Sequence, residues 1–323
     1  MIIVTGATGF LGSELSRQLT SQGEKIICLK RSNSIIPKLL NDNSLIEWRN
    51  ADITDYFSLK DALAGATKIY HCAAFISFNP ADKKKMLKIN VEGTAHVVDI
   101  CLENPQVKLL HVSSVSAVGE AKNGQQANET NIWEFNNSKS AYSISKYESE
   151  MEVFKGIAEG LDAVIVNPSV IIGKNAGTEG SGKLFETVNK GLKYYPTGSF
   201  GLVDVADVAE TMIRLMDSDI SGERYLINAE NYTYKQFFSE VAQAFHKNPP
   251  STELKPWMLK SALFFSKLTK LFGSKETSLT SETVRSAFKK QHYSNSKVKD
   301  ELNFNFKPIS KSILEICESW KEN

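Results

Sequence analysis

The chain has 323 residues, 41% of them apolar and 23% charged, which suffices for the core of one large or two smaller domains and excludes a disordered polymer. Lys and Arg number 38 against 37 Asp and Glu, and a formal charge of +1 marks no general nucleic-acid binder. The cysteines (Cys28, Cys72, Cys101 and Cys317) form no C-x-x-C pair and the histidines are scattered, which argues against a disulfide scaffold and against a metal site.

In chain order, the Ile-, Val- and Leu-rich runs 2–4, 25–29, 45–48, 68–72, 107–112 and 161–166 read as short buried strands. Between them, 12–22, 56–63, 86–102 and 142–158 read as amphipathic helices; in the third, Leu87, Val91, Ala95, Val98 and Leu102 recur every three or four residues. Past Pro168, the glycines Gly173, Gly177, Gly180 and Gly182 predict an irregular segment over a cleft. Residues 201–208 read as a return to the sheet domain followed by a helix to about 216, 224–227 as a strand, and helical patterns dominate from Tyr234 onward. Strands alternating with helices make the expected fold α/β. It is a Rossmann-like doubly wound parallel sheet (1–167 and 202–228) with a smaller, discontinuous, mostly helical substrate lobe (168–201 and 229–323).

No basic-then-apolar leader precedes Thr5-Gly6, and no apolar run reaches the roughly 18 residues a membrane span needs. The expectation is a cytoplasmic protein, in which the glycosylation-like triplet Asn136-Asn137-Ser138 is idle. The Lys-rich, acid-free stretch 254–275 reads as a lobe helix with solvated lysines, ahead of the alternative of peripheral contact with an anionic membrane surface.

Two constellations carry chemistry. Gly6, Thr8, Gly9, Phe10, Leu11 and Gly12 follow the first strand and open the first helix with the spacing G-x-x-G-x-x-G. Gly6 serves the tight turn, Gly9 the approach of a pyrophosphate and Gly12 the packing of helix on strand, so that the helix N-terminus faces a dinucleotide phosphate. At the end of the second strand, where an acid would bind the ribose of NAD, stand Arg31 and Ser32; they favour the 2′-phosphate of NADP, with NAD as the alternative. The second constellation is Tyr142 and Lys146, at i and i+4 on one helix face, with Ser114 at an earlier strand's end. The ammonium lowers the pKa of the phenol, and the serine donates to the same substrate oxygen.

With these motifs the chain resembles the extended short-chain dehydrogenase/reductase family, within the NAD(P)-dependent epimerase/dehydratase superfamily. The likeness is greatest to the branch of dihydroflavonol reductases and 3β-hydroxysteroid dehydrogenases. Besides the glycine loop, Asp52-Ile53 matches the pair near adenine, His71-Cys72-Ala73-Ala74 the segment along the cofactor, and Asn90-Val91-x-Gly93-Thr94 the helix behind the site. Ser113-Ser114 and Asn167-Pro168-Ser169 match the catalytic loop and the turn beneath the nicotinamide, and Tyr293-x-x-Ser296-Lys297 the C-terminal lobe. The resemblance implies that Tyr142 donates a proton to a carbonyl while the nicotinamide transfers hydride. Lys146 then tunes the tyrosine and holds the ribose, Ser114 polarises the carbonyl, and Asn90 either joins a proton relay or braces the sheet. Gly6 to Gly12, Arg31, Ser32, Asp52, Ile53, Ala73, Ala74, Ser113, Tyr142, Lys146, Pro168 and Ser169 are the expected cofactor residues. Ser116 is read as a substrate contact or a loop cap. Asp204 and Asp207 are read as a helix cap and brace rather than as catalysts.

The function expected is an NADPH-dependent reductase of a small ketone or aldehyde, reversible as an alcohol dehydrogenase and acting as a monomer or homodimer. The alternatives are a nucleotide-sugar epimerase or dehydratase that keeps its NAD bound, and a non-catalytic dinucleotide-binding regulator. Residues 75–80, 119–135 and 172–200 are expected to choose the substrate. Phe75, Phe78, Trp133, Phe135 and Tyr194 favour an apolar or aromatic-accepting pocket, with core packing as the alternative for some of them.

Overall fold

The structure is a computed structural model that describes all residues except 78, 122–123, 136–138, 179, 256, 259–280 and 321–323. The expectations for Phe78, for the triplet Asn136-Asn137-Ser138 and for residues 259–275 lie outside the described residues. The first apolar runs form β1 (Ile2–Thr5), β2 (Ile26–Lys30), β3 (Ile46–Asn50), β4 (Lys68–His71), β5 (Lys108–Val112) and β6 (Ala163–Pro168). Further strands are β7 (Val170–Ile172), β8 (Tyr194–Tyr195), β9 (Ser199–Asp204), β10 (Arg224–Ile227), β11 (Glu230–Thr233) and β12 (Thr252–Glu253). The main sheet has seven parallel strands in the order β10-β6-β5-β4-β1-β2-β3. Both of its faces are covered, which is why its strands carry continuous apolar runs: Ile2 and Val4 enter one core cluster and Ile3, between them, the other.

The helices are α1 (Phe10–Ser21), α2 (Tyr56–Leu63), α3 (Lys83–Leu87), α4 (Gly93–Leu102), α5 (Ala141–Ala158), α6 (Gly182–Asn189), α7 (Val205–Asp217), α8 (Tyr234–Ala244), α9 (Ser281–Phe288), α10 (Ser296–Leu302) and α11 (Ile309–Ser319). Three expectations need correction. The helix expected over 86–102 begins earlier and is interrupted by a π turn, Lys88–Glu92, between α3 and α4. The wider turn carries Asn90, whose side chain bonds the backbone of Phe75 and the Ser145 hydroxyl. Gly182 does not prolong the irregular segment but starts α6, and a Cβ there would lie 2.0 Å from the Gly177 oxygen. Finally, 201–204 does not return to the main sheet. It belongs to β9, the centre of a separate sheet β11-β9-β7, since burial along a strand does not say which sheet it joins. The element that does return is α7, whose Val208, Met212 and Leu215 share a core with Leu11, Leu15 and Leu19 of α1. Asp204 caps α7 by accepting from Ala206 N–H, while Asp207 accepts from Lys307 N–H and so ties α7 to the C-terminal segment.

Among the described residues no helix is long and apolar enough to cross a membrane. The helix that positions the site is α5, and it is anchored by Glu150. This side chain is fully buried, accepting from Ser113 Oγ (2.5 Å), Asn167 Nδ2 (2.7 Å) and Arg224 Nη1 (2.9 Å). Arg224 also donates to the carbonyls of Glu129 and Asn131. Breaking a buried pair by removing one partner strands the other charge. Arg224→Met should therefore cost about 3–5 kcal/mol, read as a lowered urea midpoint at unchanged slope.

Candidate active site

The loop after β1 is set by backbone crowding. Gly6 has φ +67°, and a Cβ on it would come within 2.6 Å of Ala73 N; a Cβ on Gly12 would come within 2.3 Å of the Gly6 oxygen. Gly9 N–H donates to that same oxygen at 2.9 Å. Gly9 also caps α1 without a side-chain acceptor, and no acidic residue occupies the first turn. The positive end of α1 is thereby left for an anion brought in from outside, which is what a dinucleotide phosphate requires. Thr5 behind the loop is fixed by His71, whose Nδ1 lies 2.8 Å from Thr5 Oγ1 and whose Nε2 lies 3.0 Å from Thr94 Oγ1.

A cleft of about 1470 Å³ runs from this loop across the C-terminal ends of β4, β5 and β6 to the second sheet, crossing the point between β1 and β4 where the strand order reverses. Gly6, Thr8, Gly9, Phe10, Leu11 and Gly12 line one end. Cys72, Ala74, Ser113, Ser114, Tyr142, Lys146, Pro168 and Ser169 line the middle. The wall also offers two buried hydroxyls without a partner among the described residues, Ser116 Oγ and Ser169 Oγ, which suits a polar ligand. The glycine cradle, the open helix end and these hydroxyls together fit a dinucleotide.

The Ser140 hydroxyl caps α5 by accepting from Ser143 N–H at 2.9 Å, and so sets the entry of Tyr142 into the cleft. Burial pushes the Tyr142 phenol above its ordinary pKa, and its hydrogen bond with Ser114 offsets part of that push. The net shift is upward, opposite to the lowering that the Lys146 spacing predicts. Ser114 Oγ in turn accepts from Ser116 N–H at 3.2 Å. Lys146 Nζ donates to the Val112 carbonyl at 2.8 Å; burial lowers its pKa to about 8, with Cys72 and Glu150 pulling it back upward. His111, beside Val112, is buried with neither ring nitrogen partnered among the described residues, and burial holds it neutral.

Other expected residues are committed elsewhere or lie off the cleft surface. Ser113 lines it, but its hydroxyl is committed to Glu150. Asn90 is buried behind, bracing the segment after β4 against α5. Ala73 backs Gly6, and Ile53 packs on Gly93. Arg31 and Ser32 are exposed at the end of β2, where Arg31 helps hold Asp52 ionised, after the larger effect of the hydrogen bond from Thr54 N–H. The residues from that side that reach the cleft are Pro37, Lys38 and Leu39, which the sequence reading missed because no spacing motif marks them.

The expected aromatic pocket is also corrected. Phe75 packs under Lys85, Trp133 stacks on Tyr147 with Phe135 edge-on, and Tyr194 lies in the small β8–β12 pair. None of these four lines the cleft; its rings are Phe10, Tyr142, Phe200, Tyr234 and Tyr293. Among the described residues no cluster of His, Cys, Asp and Glu could hold a metal ion.

Comparison with known proteins agrees with this geometry. Residues 2–228 match the NAD dependent epimerase/dehydratase family, and the chain belongs to that family. It is 30% identical to "Sterol demethylase protein B" of Methylococcus capsulatus, over 85% of this chain and 84% of that one. It is 27% identical to a "Putative dihydroflavonol 4-reductase" of a Synechocystis species, over 99% and 94%. The crystal structure of Thermus thermophilus UDP-glucose 4-epimerase, a complex with NAD, superposes with a TM-score of 0.77 at 20% identity, covering 99% and 98% of the two chains; this likeness is one of fold.

Two outcomes follow from the site. Gly12→Ala forces a Cβ onto a backbone oxygen and should cost about 1–3 kcal/mol in chemical denaturation. Lys146 titrates near 8 in the folded chain against the ordinary lysine value of 10.5, so above pH 8 the unfolded chain holds more protons and the fold gains stability. Between pH 8 and 10 the wild type should gain stability relative to Lys146→Met, measured by urea unfolding.

Proposed function

We propose that the protein is an NADPH-dependent reductase of a ketone or aldehyde, reversible as an alcohol dehydrogenase. The observation that carries this reading is the hydrogen-bonded pair Ser114 and Tyr142 on the wall of the cleft that begins at the glycine loop. When bound, the nicotinamide supplies the hydride. Tyr142, kept protonated at neutral pH by burial, donates its phenolic proton to the carbonyl oxygen. Ser114 Oγ donates a hydrogen bond to the same oxygen and stabilises its growing negative charge. Lys146, still mostly charged at neutral pH, compensates the phenolate left behind and holds the nicotinamide ribose. Gly6, Gly9 and Gly12 with the α1 N-terminus would take the pyrophosphate, and Pro168 and Ser169 would support the nicotinamide. Arg31 and Ser32, with Lys38 on the cleft wall, would hold a 2′-phosphate, which favours NADP over NAD. Apart from 202–204, which belong to β9 of the second sheet, residues 1–167 and 202–228 would form the cofactor domain and 168–201 and 229–323 the substrate lobe, in a cytoplasmic monomer or homodimer.

One observation favours a second reading, a nucleotide-sugar epimerase or dehydratase. Glu120 places a carboxylate on the cleft wall, held ionised by Lys289 and Lys139 against the opposing effect of burial. Such an enzyme would be isolated with NAD that does not exchange.

Turnover of a carbonyl panel with NADPH and with NADH tests the assignment. Tyr142→Phe should still bind NADPH, followed by its fluorescence, while kcat falls by about 10²–10⁴. Unchanged turnover in that variant would overturn the role of Tyr142. Arg31→Gln should raise KM for NADPH and leave KM for NADH in place.

A further inference from the structure

The end of the cleft beyond Tyr142 is walled by cations. Lys139 precedes α5, Lys174 follows β7, and Arg285, Lys289 and Lys290 come from α9 and the residues just after it; all five line the cleft, and among the described residues Glu120 is the carboxylate beside them. The chain as a whole is nearly neutral at +1, so this excess is local. Lys174 stands at the cofactor end, since its neighbour Gly173 lies beside Phe10 at the start of α1, whereas Lys139 and Lys289 gather on Glu120 and Lys290 pairs with Ser199 of β9.

Glu120 does not neutralise the wall. It is shared by two lysines, Lys139 at 3.1 Å and Lys289 at 2.5 Å, which leaves one positive charge over. Lys290 has no carboxylate partner among the described residues, and its side chain is exposed. Nor are these lysines on a loose surface loop. Gly198 N–H and Ser199 N–H donate to the carbonyls of Ala287 and Lys289, and Gln291 N–H donates back to the Ser199 carbonyl. The cationic segment is thus hydrogen-bonded along β9, whose Phe200 and Gly201 line the same cleft. Fixed like charges beside apolar rings concentrate a positive potential in a space partly shielded from water.

We infer that the substrate is a carbonyl compound bearing an anionic group, a carboxylate or a phosphate, remote from its carbonyl, and that Lys139, Lys289 and Lys290 receive that charge while Ser114 and Tyr142 take the carbonyl. This rests on the reading of the site as a carbonyl reductase and names its substrate class. The wall gives the pocket its order of preference: anions first, neutral compounds of equal size after them.

Isothermal titration of the NADP-saturated protein tests it with three alcohol probes of product type: 4-(hydroxymethyl)benzoate, its methyl ester, and 4-(hydroxymethyl)phenyl phosphate. The two anions should bind about tenfold or more tightly than the ester. Their advantage should shrink as salt is raised from low ionic strength and narrow further in Lys290→Gln and Lys289→Gln. The ranking of benzoate against phosphate identifies which anion the wall fits. Equal affinity for ester and anions, an advantage indifferent to salt and to both substitutions, or binding of none of the three by protein that binds NADPH would each overturn the anionic-substrate assignment. Failure of NADPH itself to bind would overturn the reading of the site beneath it.

Discussion

A carboxylate taken wholly out of water is tolerated only where hydrogen bonds and an opposite charge replace the water it has lost. Glu150 meets that condition with donors from three strands: Ser113 just past β5, Asn167 in β6 and Arg224 in β10. Because Tyr142, Lys146 and Glu150 follow one another at i+4 steps along α5, the stripe that carries the candidate chemistry ends on this anchor. Rotation of α5 about its axis would pull the carboxylate from its donors, so the helix has one azimuth and the phenol one direction. Arg224 extends the constraint outward, since it also grips the 129–131 backbone that runs beneath Trp133. The same carboxylate helps Lys146 keep its proton in a place where burial works against it.

The main sheet and the glycine loop were legible in the sequence for reasons that can be named. A parallel strand covered on both faces has to be apolar throughout, as Ala163-Val164-Ile165-Val166 is, and a phosphate cradle has to use glycine where a Cβ would strike backbone. Both leave a signature in consecutive residues. The pairing of Tyr142 with Ser114 was likewise legible, because one helix face and one strand end fix it. What failed to show was whatever depends on placement between distant segments. Phe75, Trp133, Phe135 and Tyr194 are the kind of residues a pocket uses, yet they pack elsewhere, while Phe200, Tyr234 and Tyr293 come to the cleft through the second sheet and the segment paired with it. The π turn at Asn90 left no mark either, since Leu87, Val91 and Ala95 keep a helical rhythm whichever way the turn is wound.

Charge was the other hidden quantity. A net value near zero describes the protein seen from afar, whereas a ligand meets the field inside the cleft, and the two differ because the acids and bases are not mixed evenly. The titration of the central groups shows the same dependence on place. Burial raises the phenol and lowers the ammonium of two residues that share one helix face, so two groups of nearly equal ordinary acidity are driven apart and the ammonium becomes the stronger acid.

The second sheet has a consequence for how the chain reaches its final form. Its strands come from 170–172, 199–204 and 230–233, and residues 289–291 lie along β9, so the far wall of the cleft is assembled from pieces scattered over more than a third of the chain. Closing such long loops is slow compared with forming neighbouring βα units. During synthesis from the N-terminus, β1 to β6 can therefore pair while the residues that complete the wall are still unmade. The cleft is open on that side while the main sheet forms, and α5 is in place before the wall that faces it.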